Sequence, residues 1–133
     1  MRTIGLVLAA AALVTGGAVA HAGPRLSGEA QLAKMLEGRE AGKPASCISL
    51  SDTRDGTVID KTALVYRAGG TIWVNRPKNA QHLDDDDIQV TYPTGGQFCR
   101  LDRVQTMDRS GHFVTGFVAL DEFVPYRRVA RSN

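Results

Sequence analysis

Thr62-Ala63-Leu64-Val65-Tyr66-Arg67-Ala68-Gly69-Gly70-Thr71-Ile72-Trp73-Val74-Asn75 decides the fold class, because two β-rich runs flank a glycine pair. β-Branched and aromatic side chains suit a pleated surface, and glycine takes the positive φ that tight turns require. The spacing predicts a hairpin with arms over 62–67 and 71–75. In the second arm Ile72 and Val74 fall on one face, and Thr71, Trp73 and Asn75 on the other.

The same grammar extends outward in both directions. Cys47-Ile48-Ser49-Leu50 reads as a strand, Asp52 to Gly56 as a turn, and Thr57-Val58-Ile59 as the start of another strand. Ile88, Val90 and Tyr92 alternate with Gln89 and Thr91, the period of a half-buried strand, and the run stops at Pro93-Thr94-Gly95-Gly96. Gln97 to Met107 is expected as one longer or bent strand, and Phe113 to Leu120 as a further one after the turn Asp108 to Gly111. Asp121 to Tyr126 docks through Phe123 and Val124. Upstream, Ser27 supplies an N-cap, Leu32, Met35 and Leu36 an apolar stripe at helical spacing, and Gly38 a stop. Glu37 to Lys43 reads as a solvated connector. The expected fold class is mainly β, a small antiparallel sheet or barrel with one short N-terminal helix.

The first 22 residues follow a different logic. Arg2 precedes an apolar run from Ile4 to Val14, and Ala20-His21-Ala22 has the small side chains that signal peptidase accepts. A cleaved export signal cut after Ala22 is expected, with Ala18-Val19-Ala20 as a second acceptable site. A membrane anchor is the competing reading, and the cleavage pattern argues against it. The segmentation is 1–22 signal, 23–43 short helix and connector, 44–126 β domain and 127–133 flexible basic tail. This places the protein in the periplasm or outside the cell, with no transmembrane segment after cleavage.

Of the 133 residues, 111 remain after such a cut, and losing Arg2 takes the net charge from +2 to +1. So small a charge lacks the field of a nucleic-acid binder. Cys47 and Cys99 are the only cysteines, and an oxidising compartment favours a bridge between them. A redox-active pair would need close spacing such as Cys-x-x-Cys, which is absent. Zinc would need more ligands than the mature chain's His82 and His112 add. No cofactor is expected.

Three polar features invite a function. Asp84-Asp85-Asp86-Asp87 is a weak cation candidate, but calcium loops alternate ligands with spacers, whereas neighbouring carboxylates diverge; a solvated acidic loop is the plainer reading. Arg127, Arg128 and Arg131 form a basic cluster too short to signal a polyanion site. Trp73, Arg76 and Tyr92 are ligand-binding candidates, an aromatic and basic patch suited to a glycan or peptide. No catalytic set emerges: serines 46, 49, 51 and 110 lack a nucleophile elbow, and Asp108, Ser110 and His112 crowd one turn too closely to aim at a common atom.

Cys47-Ile48-Ser49-Leu50, Val58-Ile59-Asp60, Val65-Tyr66-Arg67, Val74-Asn75-Arg76-Pro77, Phe98-Cys99-Arg100-Leu101-Asp102 and Leu120-Asp121-Glu122-Phe123-Val124-Pro125 together resemble the bacterial domain-of-unknown-function family 6491, small exported proteins and lipoproteins. The resemblance spans roughly Pro44 to Tyr126. Many members carry two further cysteines, which would fall near Gln81 and Val118; their joint absence here implies that Cys47 pairs with Cys99. The family brings no activity with it. The sequence reading is an exported binding or structural module whose partner is an envelope component or another protein. The alternatives are a small hydrolase using Asp60, Asp102 or His112, or an enzyme inhibitor.

Overall fold

The computed structural model describes residues 22–131; the expected signal segment before Ala22 lies outside the described residues. In chain order the elements are α1 (Gly28–Met35), β1 (Arg39–Ala41), β2 (Cys47–Ser49), β3 (Gly56–Ile59), β4 (Ala63–Ala68), β5 (Thr71–Asn75), β6 (Ile88–Tyr92), β7 (Gln97–Cys99), β8 (Arg103–Met107), β9 (Val114–Val118) and β10 (Phe123–Arg128). Short 3-10 turns occupy Leu50–Thr53 and Ala80–His82. The fold is mainly β, as expected, and its sheets are antiparallel and open rather than closed into a barrel.

The 62–75 segment forms the expected hairpin. β4 and β5 pair from Leu64 with Asn75 to Ala68 with Thr71, and Gly69 has φ +57°, the positive φ at the first central residue that a type II′ turn requires. β4 is buried from Ala63 to Tyr66 because both of its faces are covered. On one face, Val65, Ile72 and Val74 pack with Leu32 of α1 and with Ile59 and Ala63. On the other, Leu64, Tyr66 and Phe123 meet Ile48, Phe98, Val104 and Val118 from the two smaller sheets. The aromatic rings of Phe98 and Phe123 stand 5.3 Å apart in an edge-to-face arrangement, and Tyr66 meets Phe98 edge-on.

The strand orders are β1-β10-β5-β4-β3, β2-β7 and β6-β8-β9. Cys47 and Cys99 lie opposite each other in the β2–β7 ribbon and form the expected disulfide, with Cα atoms 4.0 Å apart. Arg100 N donates to Ser46 O (2.8 Å) and Leu50 N to Gly96 O (3.4 Å). Main-chain bonds on either side make Cys47 and Cys99 a non-hydrogen-bonded pair, the type that brings side chains closest.

Four local expectations are corrected. Glu37 to Lys43 is not all connector: Arg39–Ala41 is an edge strand registered on Tyr126–Arg128. Gln97 to Met107 is two strands in different sheets, broken at Arg100–Asp102, where the Asp102 carboxylate accepts from Cys99 N at 2.7 Å and makes the turn. Asp121 to Tyr126 does more than dock, since Phe123–Arg128 runs between β1 and β5. Arg127 and Arg128, expected in a flexible tail, are therefore paired strand residues opposite Glu40 and Arg39. Pro125 is tolerated inside this strand because its missing N–H faces the end of β1, where Gly42 N donates to Pro125 O at 2.7 Å. The N-terminal helix begins where Ser27 Oγ accepts from Ala30 N (3.2 Å), the expected cap.

Candidate functional site

The packing leaves a cleft of about 800 Å³ between the β3 edge of the five-stranded sheet and the β6 edge of the three-stranded one. Gly56 and Val58 form one wall, Gln89 and Thr91 the other, and Tyr66 and Phe98 line the apolar part. Burial pushes the Tyr66 phenol well above its ordinary range. Around the cleft stand Arg54, Arg109, Asp85 and Asp87. Three of these charges are engaged: Asp85 accepts from Arg25 at 2.9 Å, Arg109 Nε donates to Asp86 O at 3.0 Å, and Asp87 accepts from Thr115 Oγ1 at 2.6 Å. Among the described residues Arg54 makes no ion pair. Among the described residues the Gln89 Nε2 group has no hydrogen-bond partner, a condition native interiors rarely leave unanswered.

The aromatic and basic patch expected from Trp73, Arg76 and Tyr92 is dispersed. Trp73 is half-buried against the core side of the sheet. Arg76 lines a smaller cavity of about 250 Å³ with Val74 and Asp121, and it clasps Glu29 of α1 through two bonds of 2.7 and 3.1 Å. This guanidinium holds the Glu29 carboxyl below the usual carboxylate range, chiefly by hydrogen bonding. Tyr92 is exposed on β6, with the Arg103 guanidinium 3.9 Å above its ring and its hydroxyl bonded to Gln105 at 2.8 Å. Neither Trp73 nor Tyr92 lines either cavity.

The four aspartates are likewise divided. Asp84 and Asp85 bring carboxylate oxygens within 4.8 Å of each other and of Asp60, a grouping the sequence run did not show because Asp60 comes from the β3–β4 turn. Asp86 and Asp87 are turned to Arg109 and Thr115. Arg25 at Asp85 and Lys61 at 3.9 Å from Asp60 offset part of the remaining charge. The hydrolase candidates do not converge. Asp60 joins the aspartates, Asp102 holds its turn through Cys99 N and Thr94 Oγ1, and His112 sits at φ 53° in the turn before β9. Asp108 accepts from Ser110 N at 3.0 Å and so serves the turn rather than the imidazole.

A β-bulge opposite Thr106 and Met107 sets Val114 and Phe117 on one face of β9, the outer face that also carries Tyr92 and Gln105. Val114 and Phe117 are both exposed there. Among the described residues no helix is long and apolar enough to cross a membrane. Comparison with protein-family models, with curated proteins and with solved structures found no match to this chain.

Proposed function

We propose that this chain is an exported, disulfide-closed binding module that receives an envelope component or a partner protein in the cleft between β3 and β6. The observation that carries the reading is the cleft itself, which combines an apolar base at Tyr66 and Phe98 with polar walls and the guanidinium of Arg54. Mostly pre-formed concave sites with a few convergent polar groups are the usual form of a ligand site. The signal-like start and the Cys47–Cys99 bridge support a periplasmic or secreted location, and the motif resemblance to family 6491 agrees with it.

The test is co-sedimentation of residues 23–133, purified with the disulfide intact, with fractionated cell envelope from the host. Thr91→Trp, which fills the cleft from the β6 side, serves as the comparison after circular dichroism shows it folded. The reading expects the wild-type chain to sediment with one fraction and the variant to stay in the supernatant. Wild-type protein that sediments with no fraction, or a folded variant that sediments equally, overturns it.

A further inference from the structure

The main chain on the two walls of the cleft specifies what it can hold. Arg67 N donates to Asp55 O at 2.9 Å, so alternate residues of β3, from Asp55 through Thr57 to Ile59, turn their main-chain groups toward β4. Gly56 and Val58 must then aim their N–H and C=O groups away from the sheet, and both line the cleft. Asp108 N donates to Phe113 O at 2.9 Å, which fixes the alternation along β8: Arg103, Gln105 and Met107 pair with β6 at Tyr92, Val90 and Ile88. Gln89 and Thr91 are left with outward-facing main-chain groups, and they line the opposite wall.

Two other edges are closed. The outer edge of β9 is covered where Asn79 Nδ2 donates to Phe117 O (2.7 Å), Ala119 N donates to Asn79 Oδ1 (2.8 Å) and Lys78 N donates to Ala119 O (2.9 Å). On β7 the outward N–H of Cys99 is taken by Asp102. Folded proteins blunt open edges with lysine, proline or a covering segment, because unpaired edges recruit other strands. β3, with the sequence Gly-Thr-Val-Ile, carries none of these protections.

We infer that the cleft takes an extended segment of another polypeptide, added as a strand along Gly56 and Val58 with β6 as the facing wall. The inference rests on the reading of the cleft as the binding site. Donors and acceptors recur along the β3 wall at every second residue, a spacing of roughly 6.6–6.8 Å, and an extended peptide presents its own along one edge at the same interval. β3 and β6 have four and five residues, which sets the paired segment at about that length. Alternate side chains of the segment face Tyr66 and Phe98, and an acidic side chain at one end meets Arg54.

The experiment uses octapeptides selected from a random phage-displayed library on residues 23–133, the best being synthesised with a fluorescent label for anisotropy. Single N-methylation along this peptide should weaken binding to the wild-type chain at least tenfold at every second position near its centre and less than threefold between them. Val58→Pro, which removes one outward N–H and no bond to β4, should weaken binding at least tenfold, whereas Phe117→Ala on the outer face should leave it unchanged. Failure to select any peptide, a methylation profile without the two-residue period, or a folded Val58→Pro protein that binds normally overturns the inference. If the chain still sediments with an envelope fraction in a manner blocked by Thr91→Trp, that outcome sinks the peptide alone and keeps the binding module. Loss of both sinks both.

Discussion

Replacing Cys47 and Cys99 together by alanine gives a perturbation whose size follows from the topology. The bridge joins positions separated by 52 residues, and in the chain-entropy treatment a loop of that length restricts the unfolded state by about 4 kcal/mol at 25 °C. The folded state needs little rearrangement to lose it. Ile48 and Phe98, on either side of the bridge, stay in the shared core, and the main-chain bonds from Arg100 to Ser46 and from Leu50 to Gly96 still hold the ribbon. The penalty therefore falls on the equilibrium with the unfolded chain rather than on the native contacts. Urea unfolding followed by Trp73 fluorescence measures it. With a slope of about 1.5 kcal/mol/M, the midpoint of the double variant should lie about 2–3 M below that of the oxidised protein. Near-equal midpoints, within ~0.5 M, would overturn this and show that the unfolded chain is already compact around this pair.

Three further outcomes are expected. Asn75→Ala removes a fully buried amide that accepts from Asp121 N (3.0 Å) and donates to Asp121 O (2.6 Å), so both main-chain groups lose their partner and thermal unfolding should show a loss of about 2–4 kcal/mol. Gly69→Ala meets no steric obstacle but must hold φ near +57°, and should cost about 1 kcal/mol in the same assay; an unchanged midpoint would mean the turn had relaxed. Because the Glu29 carboxyl is held below its ordinary pKa, its stabilisation is present above the unfolded value and is lost as pH falls through the lowered folded one. Both side chains are more than half exposed, so Glu29→Gln should cost under about 1 kcal/mol at pH 7 and nothing once the pH is well below 4.5, where wild type and variant should unfold alike.

The hairpin, the extent of β6, the Ser27 cap and the disulfide were legible because each is written in local residue chemistry: glycine for positive φ, β-branched and aromatic residues stopped by Pro and Gly, a side-chain oxygen before a helix, a lone cysteine pair. β1 was not, since Arg39-Glu40-Ala41 has no buried face and becomes a strand only through the main chain of β10. The break at Arg100–Asp102 was hidden for a similar reason, because Asp102 acts through a main-chain contact that its neighbours do not announce. The cleft was the least visible feature. Its walls come from segments some thirty positions apart, and it is made largely by backbone edges, whose hydrogen-bonding groups every residue possesses. Conspicuous side chains pointed elsewhere: Trp73 went to the core, Arg76 to Glu29, and Tyr92 to Arg103 and Gln105.

Site-specific photo-crosslinking in the living host shows whether a partner occupies the cleft. With p-benzoylphenylalanine in place of Thr57 on the cleft wall, irradiation should yield a discrete covalent adduct of the chain, while the same probe in place of Phe117 on the outer sheet face should yield none. An adduct formed from the Phe117 position and not from Thr57 would contradict the account and move the binding surface to the outer face of the three-stranded sheet.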